Sequence, residues 1–121
     1  TRFTAVKWVT DAADSAAGRQ SVGLYHLAWE VDTLQDLADI GARLSERSAL
    51  VGATDHGTTK ALYGKDPDGI EFEVSWLVPA DLITDDVVMT AQRLDLAKEV
   101  ERYGDDTLGG IGISRPRPVE A

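Results

Sequence analysis

KALYGKDPDGIEFEVSWLV, residues 60–78, decides the fold. The DPDG at Asp66–Gly69 is strong punctuation, because proline presets a turn dihedral and glycine accepts a positive φ. KALYGKD before it reads as a strand. After it Ile70, Phe72, Val74 and Trp76 alternate with Glu71, Glu73 and Ser75, the period-two pattern of a strand with one apolar and one polar face. Pro79 ends that strand. Upstream, GATDHGTT is rich in turn formers, and a short strand is expected around Leu50 and Val51. Leu34, Leu37, Ile40 and Leu44 recur at helical spacing behind Asp32 or Thr33 as cap, with Asp36 in the first turn and Arg47 near the end. Before the helix, GLYHLAWEV (Gly23–Val31) separates Tyr25, Leu27, Trp29 and Val31 on one strand face from His26, Ala28 and Glu30 on the other. From residue 23 to 78 the order is strand, helix, strand, strand, strand.

The flanks carry less pattern. Arg2–Thr10 (RFTAVKWVT) reads as a strand followed by a linker to residue 21, a segment that also suits the end of a preceding module. Residues 80–104 read as a helical extension of one or two helices, with Leu94, Ala97 and Val100 supporting the second. Residues 105–121, with three glycines and two prolines and no amphipathic period, read as a tail or binding arm. Thr1 is not an initiator and the only methionine is Met89, so the chain is expected to be either trimmed or part of something longer.

Composition narrows the function. A chain of 121 residues with 43% hydrophobic and 27% charged residues has the makings of one folded domain. A net charge of −9 repels phosphate backbones and anionic lipid, so neither nucleic acid nor a membrane is an expected partner. No run approaches the roughly 18 apolar residues of a membrane span and no signal pattern is visible, so a cytoplasmic protein is expected. Without cysteine, the strong metal-binding groups are the carboxylates and two histidines, His26 and His56.

A curved sheet with His26 on its first strand and Glu73 on its last would join an imidazole to a carboxylate, a pair suited to a divalent first-row metal. Period alone leaves the alternatives open: Glu73 as a solvated carboxylate on a polar face, and His26 as an ordinary core or surface histidine. His56 among Asp55, Gly57 and Thr58 equally suits an exposed turn, and Tyr63 the edge of a core with its hydroxyl in water.

GLYHLAWEV, the amphipathic helix and GATDHGTTKALYGKDPDGIEFEVSWLVP together resemble a module of the vicinal oxygen chelate superfamily, which holds glyoxalase I, extradiol catechol dioxygenases and the bleomycin and fosfomycin resistance proteins. The resemblance spans roughly residues 22–79 and implies an α+β fold, a βαβββ module with the helical C-terminal extension. It places a metal-binding histidine at His26 and the ligand glutamate at Glu73. The usual DPDG-N-x-I-E is here DPDG-I-E-F-E, so Ile70 replaces Asn, and Glu73 rather than Glu71 takes the ligand place. It further implies His56 and Tyr63 as catalytic groups beside the metal, which favours the extradiol branch, a ring-cleaving dioxygenase acting on a catechol-like, vicinal-oxygen substrate. The cofactor it implies is iron(II), with manganese, nickel or zinc as alternatives, and nickel or zinc would suit a glyoxalase-like isomerase.

A site of two histidines and one carboxylate needs a second histidine in direct contact with the metal, and none precedes His26. Three readings compete: an upstream module supplies it; two copies pair about a two-fold axis and share a His2Glu2 site; or no metal binds, as in the sequestering resistance proteins. In that last case Trp8, Trp29 and Trp76 are candidate stacking surfaces in a cleft between paired modules, with core or interface positions as the alternative for all three. A homo-oligomer, or pairing with a second βαβββ module, is expected because one such unit leaves a sheet face uncovered.

Overall fold

The computed structural model describes residues 13–14 and 16–110. The strand expected over Arg2–Thr10, Trp8 within it, and residues 111–121 lie outside the described residues. The central elements are β1 (His26–Glu30), α1 (Leu34–Glu46), β2 (Leu50–Asp55), β3 (Thr59–Lys65) and β4 (Glu71–Leu77), followed by the two-residue β5 (Gln92–Arg93) and α2 (Leu96–Tyr103). The first five stand in the expected βαβββ order, and the fold is α+β.

The strands form one mixed sheet in the order β1-β4-β3-β2-β5. β1 runs parallel to β4, as a strand reached through a helical crossover can, and every other pairing is antiparallel. The Asp66–Gly69 turn closes β3 onto β4 as its residues demand. Asp66 Oδ1 accepts from the backbone N–H of Asp68 and of Ile70, both at 2.9 Å. Gly69 takes φ +80°, a dihedral that side chains resist.

Helix α1 starts where a cap was expected: Thr33 is extended, and its Oγ1 accepts from Asp36 N–H at 3.1 Å. Its apolar stripe lies on β2, β3 and β4. Leu34 and Leu37 are completely buried there with Trp76, and Leu62, Val74, Val78 and Leu94 complete the core. The large core side chains of β3 and β4, Leu62, Val74 and Trp76, share one face of the sheet, and Tyr63 and Glu73 lie on the opposite parity with the small, buried Ala61 and Ser75.

Three stretches depart from expectation. β2 continues through Gly52–Asp55, which composition assigned to a turn; Gly52 sits opposite Tyr63 and Ala53 packs against the core, places that favour small residues. Over residues 80–104 helix is confined to Leu96–Tyr103 and a single 3₁₀ turn at Ala80–Leu82, while residues 83–91 form an irregular strap that ends in β5. In that strap Thr84, Asp85, Asp86, Val87 and Val88 are poor helix formers, and Thr84 Oγ1 bonds the Asp86 carboxylate instead of entering a helix. Residues 105–110 run back over the sheet: Asp105 O accepts from Gln35 N–H, Gly109 N–H donates to Asp32 O, Gly110 N–H to Leu77 O, and Thr107 O accepts from the Trp76 indole. Those bonds bury the end of β4.

Candidate functional site

Period two on each strand and the register between strands set the site. On β3 and β4, Tyr63 and Glu73 are directly opposite each other, and both point away from the helix-covered face that takes Leu62 and Val74. β1 adds His26 on the same side: its Cα partner is Glu71, so its ring reaches diagonally to Glu73. His26 Nε2 and Glu73 Oε2 are 3.5 Å apart. The His26 and Tyr63 rings meet edge to face with centroids at 6.3 Å. His56, in the turn between β2 and β3, closes the row, its Nε2 lying 2.9 Å from Tyr63 Oη. All four side chains singled out from the sequence therefore share one face, in the spatial order His26, Glu73, Tyr63, His56.

The His26–Glu73 separation is long for a strong hydrogen bond. It is close to the span of two adjacent ligands each held about 2.1 Å from one ion. His26 Nδ1 is buried with no hydrogen-bond partner among the described residues. The donor set, one imidazole and one carboxylate, fits a first-row divalent cation as two ligands of a larger set. Among the described residues no group of three histidine, aspartate or glutamate side chains converges to hold a metal. His56 does not supply the third, because both of its ring nitrogens are engaged, Nε2 with Tyr63 and Nδ1 with Thr90 O at 3.0 Å.

Tyr63 is half-buried beside a carboxylate. Burial, and next the negative charge of Glu73, push its phenol above the ordinary value of 10.0. Tyr63 therefore holds its proton tightly at neutral pH.

Behind the sheet a second polar cluster braces the turn that carries His56. Lys60 is buried, and its Nζ lies 2.7 Å from Asp55 Oδ1 and 3.0 Å from Glu99 Oε2 of α2. Asp55 Oδ1 also accepts from Gly57 N–H at 2.8 Å. Burial alone would raise the Asp55 pKa, but the hydrogen bonds from Lys60 and Gly57 with the Lys60 charge outweigh it and hold the carboxyl below 3.8. Sequence reading missed Lys60, Asp55 and Glu99, although a lysine on the apolar parity of β3, in phase with Leu62, was the available signal. It also missed Thr90, for which no short-range pattern exists.

Of the tryptophans, Trp76 is wholly buried in the core, which removes it as a stacking surface, and Trp29 on β1 is 49% exposed. Exposed apolar groups gather along the first strand: Val22, Leu24, Tyr25, Leu27 and Trp29. Among the described residues β1 pairs with β4 alone.

No family model matches the chain, and no solved structure matches it. A catechol-2,3-dioxygenase of Bacillus subtilis (strain 168) is 34% identical over 92 residues, covering 73% of this chain and 32% of the relative. The chain thus spans about a third of that relative's length. This distant likeness supports a relationship to the vicinal oxygen chelate proteins, the group that the motifs resemble.

Proposed function

We propose that this chain is a metal-dependent vicinal oxygen chelate module that works in the ring cleavage of a catechol-like substrate. The observation that carries the reading is the single row of His26, Glu73, Tyr63 and His56, brought from three strands and a turn onto one sheet face. The likeness to a catechol-2,3-dioxygenase is what supports reading the reaction as dioxygenation rather than isomerisation.

His26 and Glu73 would hold the cation, iron(II) by preference with manganese, nickel or zinc as alternatives. When bound, such an ion would supply Lewis-acid polarisation of adjacent substrate oxygens. His56 takes the proton released by a substrate hydroxyl and returns it later. Tyr63, kept protonated by burial and by Glu73, donates a hydrogen bond to a substrate oxygen once its hydroxyl turns from His56. The remaining protein ligand comes from outside the described residues, from a second module or a second copy laid along β1. The exposed apolar side chains of Leu24, Leu27 and Trp29 suit burial in that seam.

The lack of a third ligand among the described residues favours one competing reading, a small-molecule binder without a metal. Anaerobic loading with iron(II) followed by oxygen-electrode measurements on a panel of catechols separates the two. Ring cleavage with oxygen uptake is expected. Protein that takes up no metal, binds an aromatic ligand and consumes no oxygen would establish the binder instead.

A further inference from the structure

The strap over residues 83–91 lies outside the βαβββ module, yet it touches the module at the one turn that bears His56. Thr90 is the point of contact, with three hydrogen bonds to two consecutive residues of that turn. Its Oγ1 donates to Asp55 O at 3.0 Å, its N–H to His56 O at 3.3 Å, and its own carbonyl meets His56 Nδ1 at 3.0 Å. The approach is close on the neighbouring residues too. Gly57 has φ +85°, and a Cβ there would lie 1.9 Å from Val88 O, so the strap fits against the turn only because that position is glycine. Thr58 Oγ1 reaches Met89 Sδ at 3.5 Å, and Asp86 anchors the start of the strap to Arg102 of α2 at 2.8 Å.

A backbone carbonyl has only lone pairs to offer, so the contact with Thr90 O requires the proton on His56 Nδ1. In the neutral ring Nε2 then carries a lone pair, and the Tyr63 hydroxyl must be the donor across the 2.9 Å contact. With the other tautomer the Thr90 contact fails, two lone pairs facing each other, while the Tyr63 hydroxyl can turn to accept from Nε2–H, so Thr90 O and not Tyr63 discriminates between the two forms.

We propose that Thr90 is the positioning residue of this site: by clamping the His56 turn it fixes the imidazole with its proton on Nδ1, so that Nε2 is the basic nitrogen presented to Tyr63 and to the reacting face. That Nε2 is a working base rests on the function proposed above; the tautomer itself does not.

Long-range nitrogen–proton correlation spectra of ¹⁵N-labelled protein, recorded above the titration of the imidazoles and without metal or substrate, read the tautomer of His56 directly. The wild type and Thr90→Ser are expected in the Nδ1–H form, and Thr90→Val, which loses the bond to Asp55 O, as a mixture with the Nε2–H form. Tyr63→Phe keeps the Nδ1–H form, since Thr90 and not Tyr63 sets it. An Nε2–H ring in the wild type overturns the proposal, as does an unchanged ring in Thr90→Val; the wild-type spectrum decides alone if that variant does not fold. In oxygen-uptake assays Thr90→Val is expected to lower kcat by about tenfold with KM little changed, as losses of orienting partners do. Protein with the Nδ1–H ring but no turnover of any catechol would sink the catalytic reading and leave the positioning one standing.

Discussion

At the scale of single residues, the four side chains singled out from sequence were readable for different reasons. Strand parity after the Asp66–Gly69 turn points Glu73 away from Phe72 and Val74, which the core needs, but Glu71 shares that parity, and it is the family resemblance that singles out Glu73 as a ligand. His26 and His56 were found through resemblance, because an isolated histidine carries no period that distinguishes a ligand from a surface group. Thr90 and Lys60 were not found at all, since their roles depend on contacts made across the fold. Lys60 yields the sharpest stability prediction. Replacing it with Met strands Asp55 and Glu99 without their shared cation, and a loss of about 3–5 kcal/mol is expected in urea unfolding. Adding Glu99→Gln to that variant is expected to recover part of the loss. Asp55 gives a pH dependence of definite sign. Its folded-state pKa lies below the unfolded 3.8, so its contribution is fully present above about pH 4 and disappears as pH falls through the lower folded value. Asp55→Asn should therefore flatten the fall in unfolding midpoint over that acid range, and an unchanged acid limb would contradict the assignment.

At the scale of elements, helix α1 and the β3–β4 hairpin were legible because their signals are local: a 3.6-residue stripe behind a cap, and a two-residue alternation around an Asp-Pro-Asp-Gly turn. Thr33→Ala removes the bond to Asp36 N–H and is expected to cost about 1 kcal/mol. Leu37→Ala, at a side chain with no exposure, is expected to cost about 2–5 kcal/mol, and calorimetry orders the two. The strap and β5 were not legible. Two residues of strand make no period, and the path of residues 83–91 is set by tertiary bonds to the β2–β3 turn and by the Asp86–Arg102 pair. The extent of β2 was hidden by composition, since Gly52 and Ala53 look like turn residues until Tyr63 and the core are seen on either side.

At the scale of the molecule, one βαβββ unit carries a helix on one face of its sheet, and among the described residues the β1 edge pairs with β4 alone. No helix among the described residues is long and apolar enough to cross a membrane. The half-exposed Leu27 and Trp29, with Leu24 nearby, place the apolar seam at that edge. If a second copy covers it, Leu27→Lys is expected to shift the sedimentation coefficient to that of a monomer and to abolish metal-dependent turnover together; a monomeric wild type would place the remaining ligand in an upstream module. The claim on which the function depends is narrower than the assembly, namely that His26 and Glu73 share one cation. Anaerobic iron(II) titration of the wild type beside Glu73→Gln and His56→Ala tests it most directly. Saturable binding is expected in the wild type and in His56→Ala and is expected to vanish in Glu73→Gln. Equal binding by wild type and Glu73→Gln, or loss of binding in His56→Ala alone, would contradict the account.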